Sequence, residues 1–368
     1  MQYKNVKLSN TESALFDMRT LFEQYGYSQY KVSKFEEYDL YAKNKAFLVS
    51  DNVLTFTDTT GRLMALKPDV TLSIVKNTVN NTGLNKLYYS ENVYRTAGGT
   101  QGFKEIMQTG LECVGEVDLY STAEVLMLAA KSLEAVSDDY ILDISHMGII
   151  SSLIQDNVPN EFTRELLELI SQKNSAQVEA LCSQTEVDES VKKALLVLTT
   201  LYMPLNEALK ELEPVLLNDG MKAAFDELKA INELMNHYGV NNLYLDFSVI
   251  NDMRYYNGVI FSGYINGITD KVLSGGRYDN LLKRMGKNAG AIGFAFYLDT
   301  LEQLSSANAE SFVDVALVYD ETVPAQKVIE AVEKITASGK SVKATKSIDE
   351  SVLAKETVDL TKGGIINE

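Results

Sequence analysis

Between residues 46 and 118 the chain runs through five segments rich in branched and aromatic residues: "AFLVS", "VLTFTD", "LMALKP", "KLYYSENVYR" and "EIMQTGLECVG". Glycine and Asn/Asp turn signals separate them, which marks them as strands. Strands joined by short turns pair antiparallel, because parallel neighbours need crossovers of a dozen or more residues. The pattern predicts an α+β fold around a mainly antiparallel sheet, not a doubly wound nucleotide-binding sheet. In keeping with this, the chain carries neither a P-loop pattern nor a G-x-G-x-x-G after a strand.

Helical signals frame this region. Ser9-Asn-Thr-Glu12 reads as a capping box, followed by Leu15, Met18, Phe22 and Tyr25 at helical spacing and by Gly26 as a stop. Ser121-Thr-Ala-Glu124 reads as a second capping box, opening an apolar helix to about Val136, with a strand "YILDISH" after it. Residues 158–238 hold amphipathic helical segments with hardly a strand among them, which predicts a helical insertion. Strand signals return in "NLYLDFSVI", "YYNGVIFSGYI" and "DKVLSGG"; a helix is predicted over "RYDNLLKRM" and an apolar one over "AIGFAFYLDTLEQL". The polar "SSANAE" at 305–310 reads as a linker. The predicted layout is a core over 1–304, with the insertion at about 158–238, and a small α/β domain over 311–368.

Charge narrows the partners. Thirty-four Lys and Arg stand against 51 Asp and Glu, a formal −17. Nucleic-acid binding draws on basic side chains against phosphates, so no tRNA partner is expected, although solubility alone also accounts for the balance. No apolar run reaches the roughly 18 residues of a membrane span, and the N-terminal segment shows no export signal. Two isolated cysteines, Cys113 and Cys182, suit a reducing cytosol. With only His146 and His237 available, no Cys/His metal site is expected. No cofactor is expected either.

On the strand "EIMQTGLECVG" side chains alternate faces. Gln108, Gly110 and Glu112 share one face, and Met107, Leu111 and Cys113 share the other, the obvious core side. An amide and a carboxylate beside a glycine suit an ammonium group, whose three donors need acceptors. A solvated sheet face is the alternative. "LKPDVT" adds Asp69 and Thr71, on one face if extended, although Pro68 confines the segment to a strand end or edge. "MRYYNGVIF" carries Tyr255 and Tyr256 pointing to opposite faces, and "SGGRYDNLL" sets Arg277, Tyr278 and Asp279 behind two glycines. Those glycines permit a close backbone approach, or only a strand-to-helix turn.

Taken in order, "LKPDVT", "VYRTAGGTQGFKEIMQTGLECVG", "MRYYNGVIF", "SGGRYDNLL" and "AIGFAFYLDTL" resemble the class II aminoacyl-tRNA synthetase catalytic domain, specifically the histidyl-tRNA synthetase family, over about residues 5–301. The resemblance implies that histidine is held by Asp69, Thr71, Gln108, Glu112, Tyr256 and Tyr278, with Arg95 facing its carboxylate. It also implies lost chemistry. Arg95 is followed by Thr96 and Ala97, where the family has an arginine followed one residue later by glutamate. Thr300 stands at the position of an ATP-gripping arginine, and Asn251 at that of an arginine that assists adenylate formation. Ser33 stands where the first class motif has a proline near the dimer interface. Such sites act by electrostatic stabilisation of developing charge, and one missing donor costs about 10²- to 10³-fold in rate. Several losses predict negligible synthetase activity.

A pocket kept and a reaction discarded resembles the histidyl-tRNA-synthetase-like regulatory subunits of ATP phosphoribosyltransferase. That resemblance implies a cytoplasmic, non-catalytic subunit, homodimeric through its synthetase-like core. It implies a larger hetero-oligomer with the short-form catalytic subunit, activation of the first step of histidine biosynthesis, and histidine feedback. A divergent histidyl-tRNA synthetase and a stand-alone histidine-binding module are the alternatives.

Overall fold

The computed structural model describes residues 8–45, 48, 53–78, 83–96, 102–155, 157–185, 187–249, 255–304, 313–347 and 354–362. The chain divides into two compact units, Ser9–Glu302 and a smaller one containing Gln303–Glu368. The predicted linker at 305–310 and most of the predicted strand at 46–50 lie outside the described residues.

Among the described residues the main sheet of the larger unit has nine strands: β1 (Ser28–Gln29), β2 (Asn85–Thr96), β3 (Phe103–Gly115), β4 (Tyr140–His146), β5 (Tyr202–Pro204), β6 (Leu243–Asp246), β7 (Val259–Ile265), β8 (Leu273–Arg277) and β9 (Gly290–Tyr297). Their order across the sheet is β1-β2-β3-β9-β8-β7-β4-β6-β5. Only β1–β2 and β4–β6 pair parallel; the other neighbours are antiparallel, as the turn signals require. The fold is the expected α+β.

Helix Leu119–Glu134 covers one face of this sheet against β7 and β9 and is buried at nearly every position from Ser121 to Leu133. Helices Asn10–Gln24 and Asp219–His237 pack against it in turn. The first of these starts with the predicted capping box: Glu12 N–H donates to Ser9 Oγ at 3.2 Å, and Ser9 N–H to Glu12 Oε2 at 2.8 Å. On the other face, helices Thr71–Asn77 and Asp279–Arg284 pack Leu72, Ile74, Val75, Leu281 and Leu282 against Tyr89 and Val93 of β2.

Three expectations fail for identifiable reasons. "AIGFAFYLDTLEQL" is not a helix but strand β9 followed by 3-10 turns at Leu298–Leu304. β9 lies inside the sheet, so Ala291, Ile292 and Phe294 are all buried whichever face they take. A strand apolar on both faces has lost the period-2 signal that separates it from a helix. The second capping box sits three residues earlier: Asp118 is the cap and Ser121 its partner, while Glu124 is buried and ion-paired to Lys86 at 2.6 Å. "LKPDVT" is not extended either, since its strand ends at Leu66 and Thr71 opens a helix. Strands Thr55–Thr57 and Leu63–Leu66 join Phe35–Glu37 in a separate three-stranded sheet, not the main one.

Within 158–238 the described residues form the α-helices Asn160–Ser171, Ser175–Gln184, Glu189–Thr200, Leu205–Leu212 and Asp219–His237, together with β5, which edges the main sheet. In the smaller unit, strand Val313–Val318 pairs parallel with both Val342–Thr345 and Ala354–Asp359. Helix Ala325–Ala337 packs Ala331 and Ile335 against Val315 and Leu317. Asp118→Ala is expected to lower stability by about 1 kcal/mol in urea denaturation, the ordinary worth of an N-cap. A cap at Ser121 would leave that substitution silent.

Candidate functional site

A cavity of about 560 Å³ opens on the sheet face opposite helix Leu119–Glu134. All seven residues singled out for a ligand line it: Asp69, Thr71, Arg95, Gln108, Glu112, Tyr256 and Tyr278. Thr300 lines it too. Thr96 is the last residue of β2, and Ala97 and Asn251 lie outside the described residues.

β3 supplies the floor. Gln108 and Glu112 are 1% and 2% exposed, so their side of the strand is an enclosed wall and not a solvated face. Across the sheet Glu112 faces Gly293, and Gly293 faces Gly276. A Cβ on Gly293 would come within 1.9 Å of Glu112 Oε2, and one on Gly276 within 2.7 Å of the Tyr256 ring. Two adjacent strands therefore give up side chains to seat a carboxylate and a phenol.

Glu112 is held from two directions. Thr71 Oγ1, at the start of its helix, donates to Oε1 at 2.7 Å, and the Tyr278 hydroxyl donates to Oε2. Asp69 Oδ1 accepts the Leu72 N–H at 3.0 Å, anchoring the entry to the same helix. Arg95 donates through Nε to the Pro68 carbonyl at 2.8 Å. Two buried polar atoms of the lining have no protein partner: Gln108 Nε2, a donor, and Asp69 Oδ2, an acceptor. Leaving such atoms unmatched costs about 1–3 kcal/mol each.

Burial dominates the electrostatics. It pushes the Glu112 carboxyl up to about 7, with Asp69 adding to the rise and the Tyr278 and Thr71 hydrogen bonds opposing it. Burial likewise raises Asp69, against the pull of the Leu72 N–H and of Arg95. The phenols of Tyr256 and Tyr278 are raised by burial as well, which keeps both as hydroxyl donors.

Several lining residues escaped the sequence reading. Tyr255 joins the expected Tyr256 in the lining, their rings 4.5 Å apart, because both precede β7 in a turn and not in a strand with opposed faces. Tyr297 lines it from β9 and is bonded to Ser274 Oγ at 2.7 Å. Read as a strand, β9 would have placed Tyr297 on the Gly293 face. Tyr89 completes the aromatic wall. Among the described residues no group of three or more His, Cys, Asp or Glu could hold a metal ion, and no helix is long and apolar enough to cross a membrane.

The family profile described as histidyl-tRNA synthetase matches residues 5–301. The chain belongs to this histidyl-tRNA-synthetase-like class. Within it, the chain is a member of the ATP phosphoribosyltransferase regulatory subunit family. A regulatory subunit of that name from Caldanaerobacter subterraneus subsp. tengcongensis is 31% identical, covering 76% of this chain and 75% of the relative. One from Oceanobacillus iheyensis is 28% identical over 80% of this chain and 74% of its own. Among solved structures, an ATP phosphoribosyltransferase regulatory subunit/histidyl-tRNA synthetase from Bacillus halodurans shares the fold with a TM-score of 0.76 at 22% identity, covering 98% of each chain. A chain of an ATP phosphoribosyl transferase complex from Thermotoga maritima does so with a TM-score of 0.62 at 21% identity, covering 79% of this chain and 98% of that one.

The raised pKa of Glu112 has a testable sign. Between about pH 4.5 and 7 the folded chain keeps a proton that the unfolded chain has released, so stability without ligand falls as pH rises through that window. Glu112→Gln is expected to stabilise the unliganded chain by up to ~3 kcal/mol above pH 7, with little gain at pH 4.5. Urea denaturation at the two pH values measures the difference.

Proposed function

We propose that the cavity binds free histidine and that the chain is the non-catalytic regulatory subunit of a short-form ATP phosphoribosyltransferase, raising its activity and making it answer to histidine. The observation that carries the ligand is the pair of partnerless buried atoms of opposite kind, Gln108 Nε2 and Asp69 Oδ2, in one lining with Glu112 and Arg95. An amino-acid zwitterion suits both. Its carboxylate accepts from Gln108 and Arg95, and its ammonium and ring N–H groups donate to Asp69 and Glu112. The tyrosine wall supplies the flat, polar-edged surface that an imidazole packs against.

The names carried by the curated relatives support the catalytic partner. In this reading Thr96, Ala97, Asn251 and Thr300 are positions where synthetase chemistry has been given up; Thr300 brings a hydroxyl to the cavity wall where the resemblance calls for a guanidinium. The subunit is cytoplasmic, pairs with a second copy through the larger unit, and binds no tRNA; its charge of −17 favours the last point. Feedback requires that histidine bind one state of the assembly better than another, and a coupling of about 1–3 kcal/mol covers 5- to 150-fold regulation.

Phosphoribosyl-ATP formation by a purified short-form transferase, with and without this chain across a histidine titration, tests the assignment. Stimulation that histidine reverses is expected, and no effect on a cognate transferase removes it. Glu112→Ala is expected to weaken histidine binding at least 100-fold in calorimetry with an unchanged circular dichroism spectrum. Undiminished affinity would move the ligand elsewhere. Thr300→Arg alone is expected to give no histidine-dependent ATP–pyrophosphate exchange, since the other lost groups remain missing.

A further inference from the structure

Among the described residues Lys67 is the only buried lysine, at 0% exposure. Its ammonium lies 2.8 Å from Glu91 Oε2, and the other Glu91 oxygen accepts the Val32 N–H at 3.3 Å. The Lys67 backbone is tied at both ends: its N–H donates to the Lys34 carbonyl at 3.2 Å, and its carbonyl accepts the Tyr94 N–H at 3.0 Å. One residue on, Pro68 accepts from Arg95. Asp69 and Thr71 follow directly and line the cavity.

Stability alone is a poor reason for such a pair. Removing two charges from water costs about as much as their attraction returns, and an apolar replacement of equal volume is often neutral or stabilising. What an ion pair supplies beyond that is a fixed geometry. Glu91 sits opposite Gln108 in the β2–β3 register, so the anchor for Lys67 belongs to the same cross-strand row as the amide of the cavity. We propose that Lys67 and Glu91 are a positioning pair: they hold residues 67–71 against β2 so that Asp69 and Thr71 reach the ligand, and they tie that segment to the surface residues 32–34. The inference rests on the histidine reading of the cavity. Ligand that draws Asp69 and Thr71 inward pulls on Lys67, and through Glu91 and the Lys67 N–H it tightens the bonds to Val32 and Lys34.

The test compares the full chain with Lys67→Arg, Lys67→Met and the double variant Lys67→Met with Glu91→Leu. Each is titrated with histidine by calorimetry, unfolded in urea, and followed by hydrogen exchange at the Val32 amide. The single Lys67→Met leaves the half-buried Glu91 without its cation, so loss of fold there decides nothing and the double variant carries the decision. The double variant is expected to keep its urea midpoint, to bind histidine at least tenfold more weakly, and to lose the histidine-induced protection of Val32. Lys67→Arg is expected to stay within about threefold of the unsubstituted chain. Parent-like affinity in the double variant overturns the positioning role. Exchange at Val32 that ignores histidine in the unsubstituted chain overturns the tie to the surface. If the unsubstituted chain binds no histidine, the ligand reading itself falls, and this inference with it.

Discussion

The larger unit is organised around one buried carboxylate. Glu112 sits near the C-terminal end of β3, 2% exposed, and accepts hydrogen bonds from Thr71 on one side and Tyr278 on the other. Those donors come from the two helices' ends that roof the cavity, and the residue beneath it, Gly293, comes from the next strand. Three separate stretches of chain thus converge on a side chain carried by a fourth. Each has a local reason for its shape, a helix start, a strand-to-helix turn or a side-chain-free strand position, and Glu112 is where those reasons become mutually consistent.

A polar hub in this position is costly. Burial opposes the charge on Glu112 and on Asp69, and Gln108 and Asp69 each keep an atom without a protein partner. An apolar core would be more stable. Proteins keep such arrangements where a bound molecule offsets the cost. The cavity is also too specific for a general apolar pocket: its lining combines carboxylates, an amide, a guanidinium and several phenols.

Much of this was legible before any coordinates. Alternation alone put Gln108, Gly110 and Glu112 on one face, with a ligand wall and a solvated face both open, and the short turns dictated antiparallel pairing. What stayed hidden has physical causes. β9 is apolar on both sides because it is covered on both sides, so its pattern could not be told from a helix, and Tyr297 was lost with it. Asp69 and Thr71 were rightly placed together but for the wrong reason. They meet Glu112 through a helix start and not along a strand. Tyr255 and Tyr256 face one cavity because the turn before β7 breaks strand alternation; Asn257-Gly258 marks that turn, but the strand pattern around it masked the signal. The Lys67–Glu91 pair joins residues 24 positions apart, beyond the reach of periodicity.

The ends of the main sheet carry a different consequence. A wide sheet finishes in open edges, and an edge with free N–H and C=O groups is a template on which another chain can add a strand. Here the outermost strands are β1, two residues long, and β5, three residues long and ending at Pro204. Neither offers a run long enough to recruit a foreign strand, and the proline withholds one donor altogether. β5 is delivered by the otherwise helical stretch between β4 and β6. That stretch therefore acts as a stopper as well as an insertion: it caps its end of the sheet with a segment too short to propagate it.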